Sequence, residues 1–129
     1  MKKSFFIFFL SCFILFFNSC DEFLEESPET GTVRYEITSE SDYFHISYDN
    51  QYGNSISEVV NGNNWFKEIE GTVGEYVSLK FDEGPETYGG MDSNGVEELT
   101  TLSISFDGNV LISYTGVTEF EIISCQLEN

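Results

Sequence analysis

The single histidine of this 129-residue sequence is one of the few side chains that could carry out chemistry. His45 lies three residues after Asp42 in a serine-containing segment, so the residue types of a Ser/His/Asp triad are present. A triad needs its acid and its nucleophile on different sides of the imidazole, and residues 42–45 are too local to guarantee that geometry. We therefore expect a protein that is not an enzyme and uses no cofactor.

Oxygen ligands are concentrated between the fifth and sixth predicted strands. Calcium binds carboxylate and amide oxygens, and this segment contains Asp82, Glu83, Glu86, Asp92, Asn94, Glu97 and Glu98. The stretch 92–95 lacks the remaining ligand spacing of an EF-hand loop. Two interpretations stay open: a solvated acidic loop, or a surface module that binds calcium or a small ligand through residues 82–98.

The cysteine at position 20 follows the layout of a bacterial lipoprotein signal. Two lysines, an almost purely apolar run from Phe5 to Phe17 and the small residue Ser19 precede it. As a helix the run would span roughly 20 Å, too short for about 30 Å of bilayer hydrocarbon but typical of a signal peptide. We expect removal of residues 1–19 and lipidation of Cys20. The alternative is an uncleaved membrane helix with an ordinary cysteine beside it.

Residues 20–31 are predicted to form an acidic, flexible tether. They contain five acidic residues, one Pro, one Gly and a single apolar pair, too little apolar surface to offset the entropy of ordering. The segment is a spacer, or a spacer that also resembles the acidic export tags of surface-displayed lipoproteins. Because several acyl chains anchor a protein stably, we expect attachment to a bacterial membrane, the outer membrane in particular, on either its periplasmic or its surface-exposed face.

Net charge limits the classes of partner that this protein can bind, and the cysteine count limits its disulfides and metal sites. From Cys20 onward, 3 basic residues stand against all 23 acidic ones, a formal charge of −20. Nucleic acid is excluded as a partner because phosphate binding needs clustered Lys and Arg, whereas cationic partners are favoured.

The cysteines offer neither an intramolecular disulfide nor a zinc site. Cys12 would leave with the leader and Cys20 would carry lipid, so Cys125 has no intramolecular disulfide partner. One histidine and one cysteine are also too few for a zinc site.

Residues 32–129 show period-two alternation and recurrent turn residues, without helical periodicity. The predicted strands are Thr32–Thr38, Tyr43–Tyr48, Ile56–Val60, Trp65–Glu70, Glu75–Phe81, Glu98–Phe106, Asn109–Thr115 and Val117–Cys125. Seven to eight short antiparallel strands predict an all-β, immunoglobulin-like sandwich, although the Cys–Trp–Cys pattern of true immunoglobulin domains is absent.

The loop after the sixth predicted strand decides which side chains share a face. A two-residue Asp107-Gly108 turn would pair Ile104 with Leu111. A three-residue loop that includes Asn109 would instead place Leu102, Ile104, Phe106, Val110, Ile112 and Tyr114 together. We favour the longer loop, because a one-residue slip moves a whole strand's apolar set to the other face. Pairing of Ser105 with Val110 would contradict it.

The pattern of the strands resembles the MmpS-type transport-accessory family. The residues that carry the resemblance are Val33–Thr38, Ile46–Asn50, Gly53, Trp65, the hairpin Leu102–Val110 and Cys125. Two departures are Asn64, where such sequences often have Pro, and a lipid anchor in place of a transmembrane helix. The resemblance implies a β-sandwich that faces away from the cytoplasm and assists a membrane exporter of lipid-like molecules, and it transfers no catalytic residue.

Aromatic side chains at strand ends and in loops are the candidate binding residues. They are Tyr43, Tyr52, Trp65, Phe66 and Tyr88. Aromatic rings with a polar edge suit a binding surface, and packing in the core or in turns is the alternative. We expect a lipid-anchored binding or accessory module that serves an envelope protein or a transporter.

Overall fold

The computed structural model describes residues 27–83, 95 and 97–129, and within them the protein is all-β. The eight strands are β1 (Thr30–Ser39), β2 (Tyr43–Asp49), β3 (Ser55–Asn61), β4 (Asn64–Thr72), β5 (Tyr76–Asp82), β6 (Leu99–Phe106), β7 (Asn109–Val117) and β8 (Phe120–Gln126). The predicted fold class and the predicted strands are confirmed, with shifts of a few residues at their ends. No helix in these ranges is long and apolar enough to cross a membrane.

The strands form two four-stranded antiparallel sheets. The first sheet has the order β4-β1-β6-β7 and the second has the order β3-β2-β5-β8. Only β2–β3 and β6–β7 connect neighbours within one sheet, so every other connection passes from one sheet to the other. The result is a β-sandwich, in which residues far apart in sequence meet at each end.

Alternation along the strands puts one apolar set between the sheets. In β1 the inward residues Val33, Tyr35 and Ile37 are completely buried, whereas Arg34 and Glu36 face outward. Aromatic rings join the two sheets: the Tyr35 and Tyr48 ring centroids are 5.6 Å apart. Each fully buried large apolar side chain contributes about 1.5–3 kcal/mol. The completely buried apolar residues of the other strands are Phe44, Leu79, Phe81, Leu102 and Ile104.

The β6–β7 turn differs from the predicted three-residue loop. Phe106 pairs with Asn109 and Ser105 pairs with Val110, so the turn contains only Asp107 and Gly108. A register shift between Ile104 and Ser105 then leaves one extra residue on β7, and beyond it Ile104 pairs with Ile112 and Leu102 with Tyr114. The loop prediction was wrong, and the predicted register is recovered by a β-bulge. Val110, expected in the core, is exposed.

Hydrogen bonds define the end of the sandwich at which the chain enters. Val73 N donates to Glu29 O at 2.8 Å, and Gly74 N donates to Leu127 O at 2.9 Å. At the same end, Asp107 N donates to Thr32 O at 2.9 Å. We call this the entry end, because β1 begins there at Thr30.

Candidate functional site

His45 lies on the outer face of the second sheet. It pairs with Val59 on one side and with Asp82 on the other. Its Nε2 is 3.4 Å from the Tyr43 hydroxyl, and the two rings meet edge to face. The nearby Ser47 and Ser57 hydroxyls hydrogen-bond to each other at 2.7 Å. His45 and the two serines line an open hollow of about 250 Å³. The described contacts show no serine held against His45 as a nucleophile would be.

The residues of the acidic segment are spread over different environments. Asp82 lies on the outer face of the second sheet, with Lys80 Nζ 3.7 Å from its Oδ2. Glu83 is completely buried, and Glu97 is exposed. Glu86, Asp92 and Asn94 lie outside the described residues. Within residues 27–83, 95 and 97–129, no group of three or more His, Cys, Asp or Glu side chains could hold a metal ion.

The predicted binding aromatics do not share one surface. Tyr43 is on the outer face of the second sheet, whereas Phe66 is on the outer face of the first sheet, with the Arg34 guanidinium 4.2 Å from its ring centroid. Trp65 packs against the core, and its Nε1 donates to a Glu58 carboxylate oxygen at 3.3 Å. Tyr88 lies outside the described residues, as does Cys20.

Tyr52 is brought together with a second tyrosine that the sequence interpretation missed. Tyr52 and Tyr76 are 77% and 75% exposed, the two highest values among the exposed large hydrophobic side chains of the described residues. Both line one open hollow of about 310 Å³, which we call the tyrosine hollow. Its other lining residues are Asp49, Asn50, Gln51, Gly53, Glu75 and Val77. The sequence does indicate that Tyr76 faces outward, because Tyr76 precedes the inward-facing Val77 in the alternation of β5.

A tightly bonded turn holds Tyr52 at the rim of the tyrosine hollow. The Asn50 side-chain oxygen accepts hydrogen bonds from Tyr52 N at 2.9 Å and from Asn54 N at 3.0 Å. Gly53 N donates to Asn50 O at 2.9 Å, and Gly53 adopts a φ of 73°, which a residue with a side chain rarely accepts. The asparagine therefore fixes the turn, as its side chain does in Asx turns, and leaves the Tyr52 ring in solvent.

The two carboxylates of the tyrosine hollow are also held in place. Asp49 Oδ2 accepts hydrogen bonds from Ser78 N at 2.8 Å and from Ser78 Oγ at 2.7 Å. Glu75 Oε2 accepts one from Thr72 N at 3.0 Å. None of the described residues that line the hollow is basic. Two fixed negative charges beside two exposed aromatic rings create a site whose electrostatic potential favours a cation.

The tyrosine hollow lies at the entry end. Tyr76 pairs with Gln126, whose Nε2 donates to Gly74 O at 2.9 Å, next to the Val73–Glu29 hydrogen bond. No family model, curated protein or solved structure matches the chain. The chemistry of the site therefore has to be inferred from its own rings, amides and carboxylates.

Proposed function

We propose that this chain is a lipid-anchored, non-enzymatic protein of the bacterial cell envelope that binds a cationic partner protein through the tyrosine hollow. The observation that supports this function best is the pairing of Tyr52 and Tyr76 with Asp49 and Glu75 in one open hollow. Assistance to a membrane transporter, as the MmpS-type resemblance implies, is the specific form of the proposed role.

The ligand chemistry follows from the lining of the hollow. An ammonium or guanidinium group over an aromatic face gains about 0.5–2 kcal/mol, and a carboxylate adds a charge-assisted hydrogen bond. A lysine or arginine side chain of a partner can use both groups at once. The charge of −20 on the chain from Cys20 onward attracts such a partner over a longer distance than direct contacts do.

The position of the hollow supports a partner in the same membrane. If Cys20 carries the lipid, the chain from Cys20 to Thr30 can extend to at most about 35 Å. The entry end, and with it the tyrosine hollow, is then the part of the sandwich nearest the anchor. A membrane protein with basic residues on its extramembrane surface fits this arrangement.

A crosslinking experiment in cells tests the proposal. A photoreactive amino acid is placed at Tyr52 or Tyr76 of the full-length protein, and at Tyr43 as a matched exposed tyrosine on another face. We expect the first two positions to capture the same membrane protein and the third to capture none of it. The double substitution Y52A/Y76A should lower recovery of that protein about tenfold, the equivalent of about 1.4 kcal/mol, whereas Y43A should leave recovery unchanged.

Two outcomes would refute the proposed site. One is equal capture from Tyr43 and Tyr76, which would indicate unspecific proximity. The other is a recovered partner whose binding does not weaken at high salt, because exposed charge–charge attraction must be screened by salt.

A further inference from the structure

The open edge of β7 differs from the other three sheet edges of the described chain. Edge strands usually carry charged residues that discourage pairing with another chain. β3 contains Glu58, β4 contains Lys67, Glu68 and Glu70, and β8 contains Glu121. β7 (Asn109–Val117) contains neither a charged residue nor a proline. In a chain with 23 acidic residues, a nine-residue edge strand without a charge is unusual.

Most of β7 is regular enough to accept another strand. The β-bulge lies close to the turn, and the pairing with β6 is unbroken from Ile112 to Val117. In this stretch Ser113 and Thr115 are exposed on the outer face of the first sheet. A Cβ at Gly116 would lie 2.5 Å from the Tyr114 hydroxyl, so the tyrosine covers the glycine. β7 pairs with β6 on one side and with no described strand on the other.

We propose that the β7 edge accepts an extended segment of a partner protein as an additional antiparallel strand. Main-chain hydrogen bonds supply affinity in this mode of recognition, and alternate side chains supply specificity. The middle of the segment would be uncharged, with apolar and hydroxyl side chains that match Ile112, Ser113 and Thr115. This surface shares no residue with the tyrosine hollow, and the inference does not depend on that site.

Charge also indicates the ends of the partner segment. The chain from Cys20 onward carries a formal charge of −20, whereas β7 itself carries none. An uncharged middle with lysine or arginine at both ends would therefore complement an uncharged strand in a strongly negative protein. A second copy of this chain fits less well, because two strongly negative molecules repel each other.

The test uses the full-length protein and a synthetic peptide, KVTVSVTVK. We expect binding with a Kd below about 1 mM and slower hydrogen exchange of the amides of residues 112–117. The glutamate-flanked peptide EVTVSVTVE should bind at least about tenfold more weakly, since it brings negative charge to a strongly negative protein. N-methylation of alternate amides along one edge of the peptide should abolish binding, because a strand pairs through one edge at a time.

A matched pair of variants locates the contact. Thr101 and Thr115 are cross-strand neighbours whose hydroxyls are 2.9 Å apart, but only Thr115 is on the edge strand. T115K should weaken binding of KVTVSVTVK at least about tenfold, and T101K, with the same change in net charge, by less than about threefold. Absence of binding, tolerance of N-methylation along either edge, or equal effects of the two variants would overturn the proposal. Self-association of the protein that T115K abolishes would overturn it in favour of a second copy.

Discussion

Two buried tyrosines combine hydrogen bonding with core packing at the residue scale. Tyr35 is completely buried and donates its hydroxyl hydrogen to Asp49 O at 2.8 Å, beside the tyrosine hollow. Tyr48 is also buried and donates to Glu58 Oε1 at 2.9 Å. Burial raises the pKa of Tyr35 well above its ordinary value. Burial, followed by the hydrogen bond to Glu58, raises the pKa of Tyr48 to about 12.

These raised pKa values predict a loss of stability in alkali. Above about pH 10 a tyrosine of the unfolded chain ionises while Tyr48 of the folded chain stays protonated, so the unfolded state binds fewer protons. The contribution of these tyrosines to the free energy of unfolding should therefore be constant below about pH 9 and fall as the pH rises from about 10 to 12. Thermal unfolding monitored against pH checks this expectation.

The variant Y48F provides the control. It removes one ionisable hydroxyl and the hydrogen bond to Glu58, so it should be less stable at pH 7 by about 1 kcal/mol and lose less stability between pH 10 and 12. If the free energy of unfolding falls as steeply between pH 10 and 12 in Y48F as in the unsubstituted protein, Tyr48 does not contribute to the loss of stability in alkali.

The β6–β7 hairpin shows at the element scale how a turn and a bulge together determine register. Asp107 and Gly108 have φ values of 47° and 84°, the left-handed conformation that a two-residue hairpin turn with a matching twist requires. Asn109 is not among the described residues with positive φ. With the two-residue turn alone, the inward-facing residues of β7 would point away from the core. The bulge before Ile112 shifts the register by one residue and points them back toward the core.

Substitutions in the turn should separate the two loop geometries. G108A should lower the free energy of unfolding by about 1–2 kcal/mol, because a Cβ is disfavoured in the left-handed region. N109A should change it by less than about 0.5 kcal/mol, as expected for an exposed strand residue. Chemical denaturation of both variants checks this difference. A larger loss in N109A than in G108A would favour the three-residue loop.

At the scale of the whole molecule, the entry end is where the predicted anchor would join the sandwich. The first described hydrogen bond of the chain joins Glu29 to Val73, and the tyrosine hollow is close to it. Cys125, the only cysteine among the described residues, is half-buried in β8 against the core. Burial raises the pKa of its thiol, which lowers the fraction of reactive thiolate.

The two cysteines should therefore behave differently in cells. C20S should abolish the gain in mass from lipid and release the protein from the membrane fraction, or leave it attached through an unprocessed leader. C125S should change neither the intact mass beyond the substituted atom nor the fractionation. Mass spectrometry with membrane fractionation measures both, and an unlipidated sulfur at Cys20 in the unsubstituted protein would contradict the anchor.

Alternation and turn chemistry were sufficient to predict the strands and most of the core. A strand's inward face depends on residues two apart, so Val33, Tyr35 and Ile37 could be assigned to the core from neighbouring residues alone. The predicted tether and the predicted lipid signal rest likewise on linear patterns, and both stay predictions. The outward position of Tyr76 followed from the same alternation in β5, but nothing local marked it as part of a site.

Sheet order, the bulge and the tyrosine hollow depend on contacts that no local pattern contains. Tyr52 and Tyr76 are 24 residues apart and meet because β2 pairs with β5. The predicted aromatics Tyr43 and Phe66 are separated because their strands belong to different sheets. The uncharged edge of β7 was visible as composition, yet only the strand order shows that β7 is an edge. Pairing between distant strands is set by the packing of the whole core, and therefore a residue's partner cannot be derived from its neighbours in sequence.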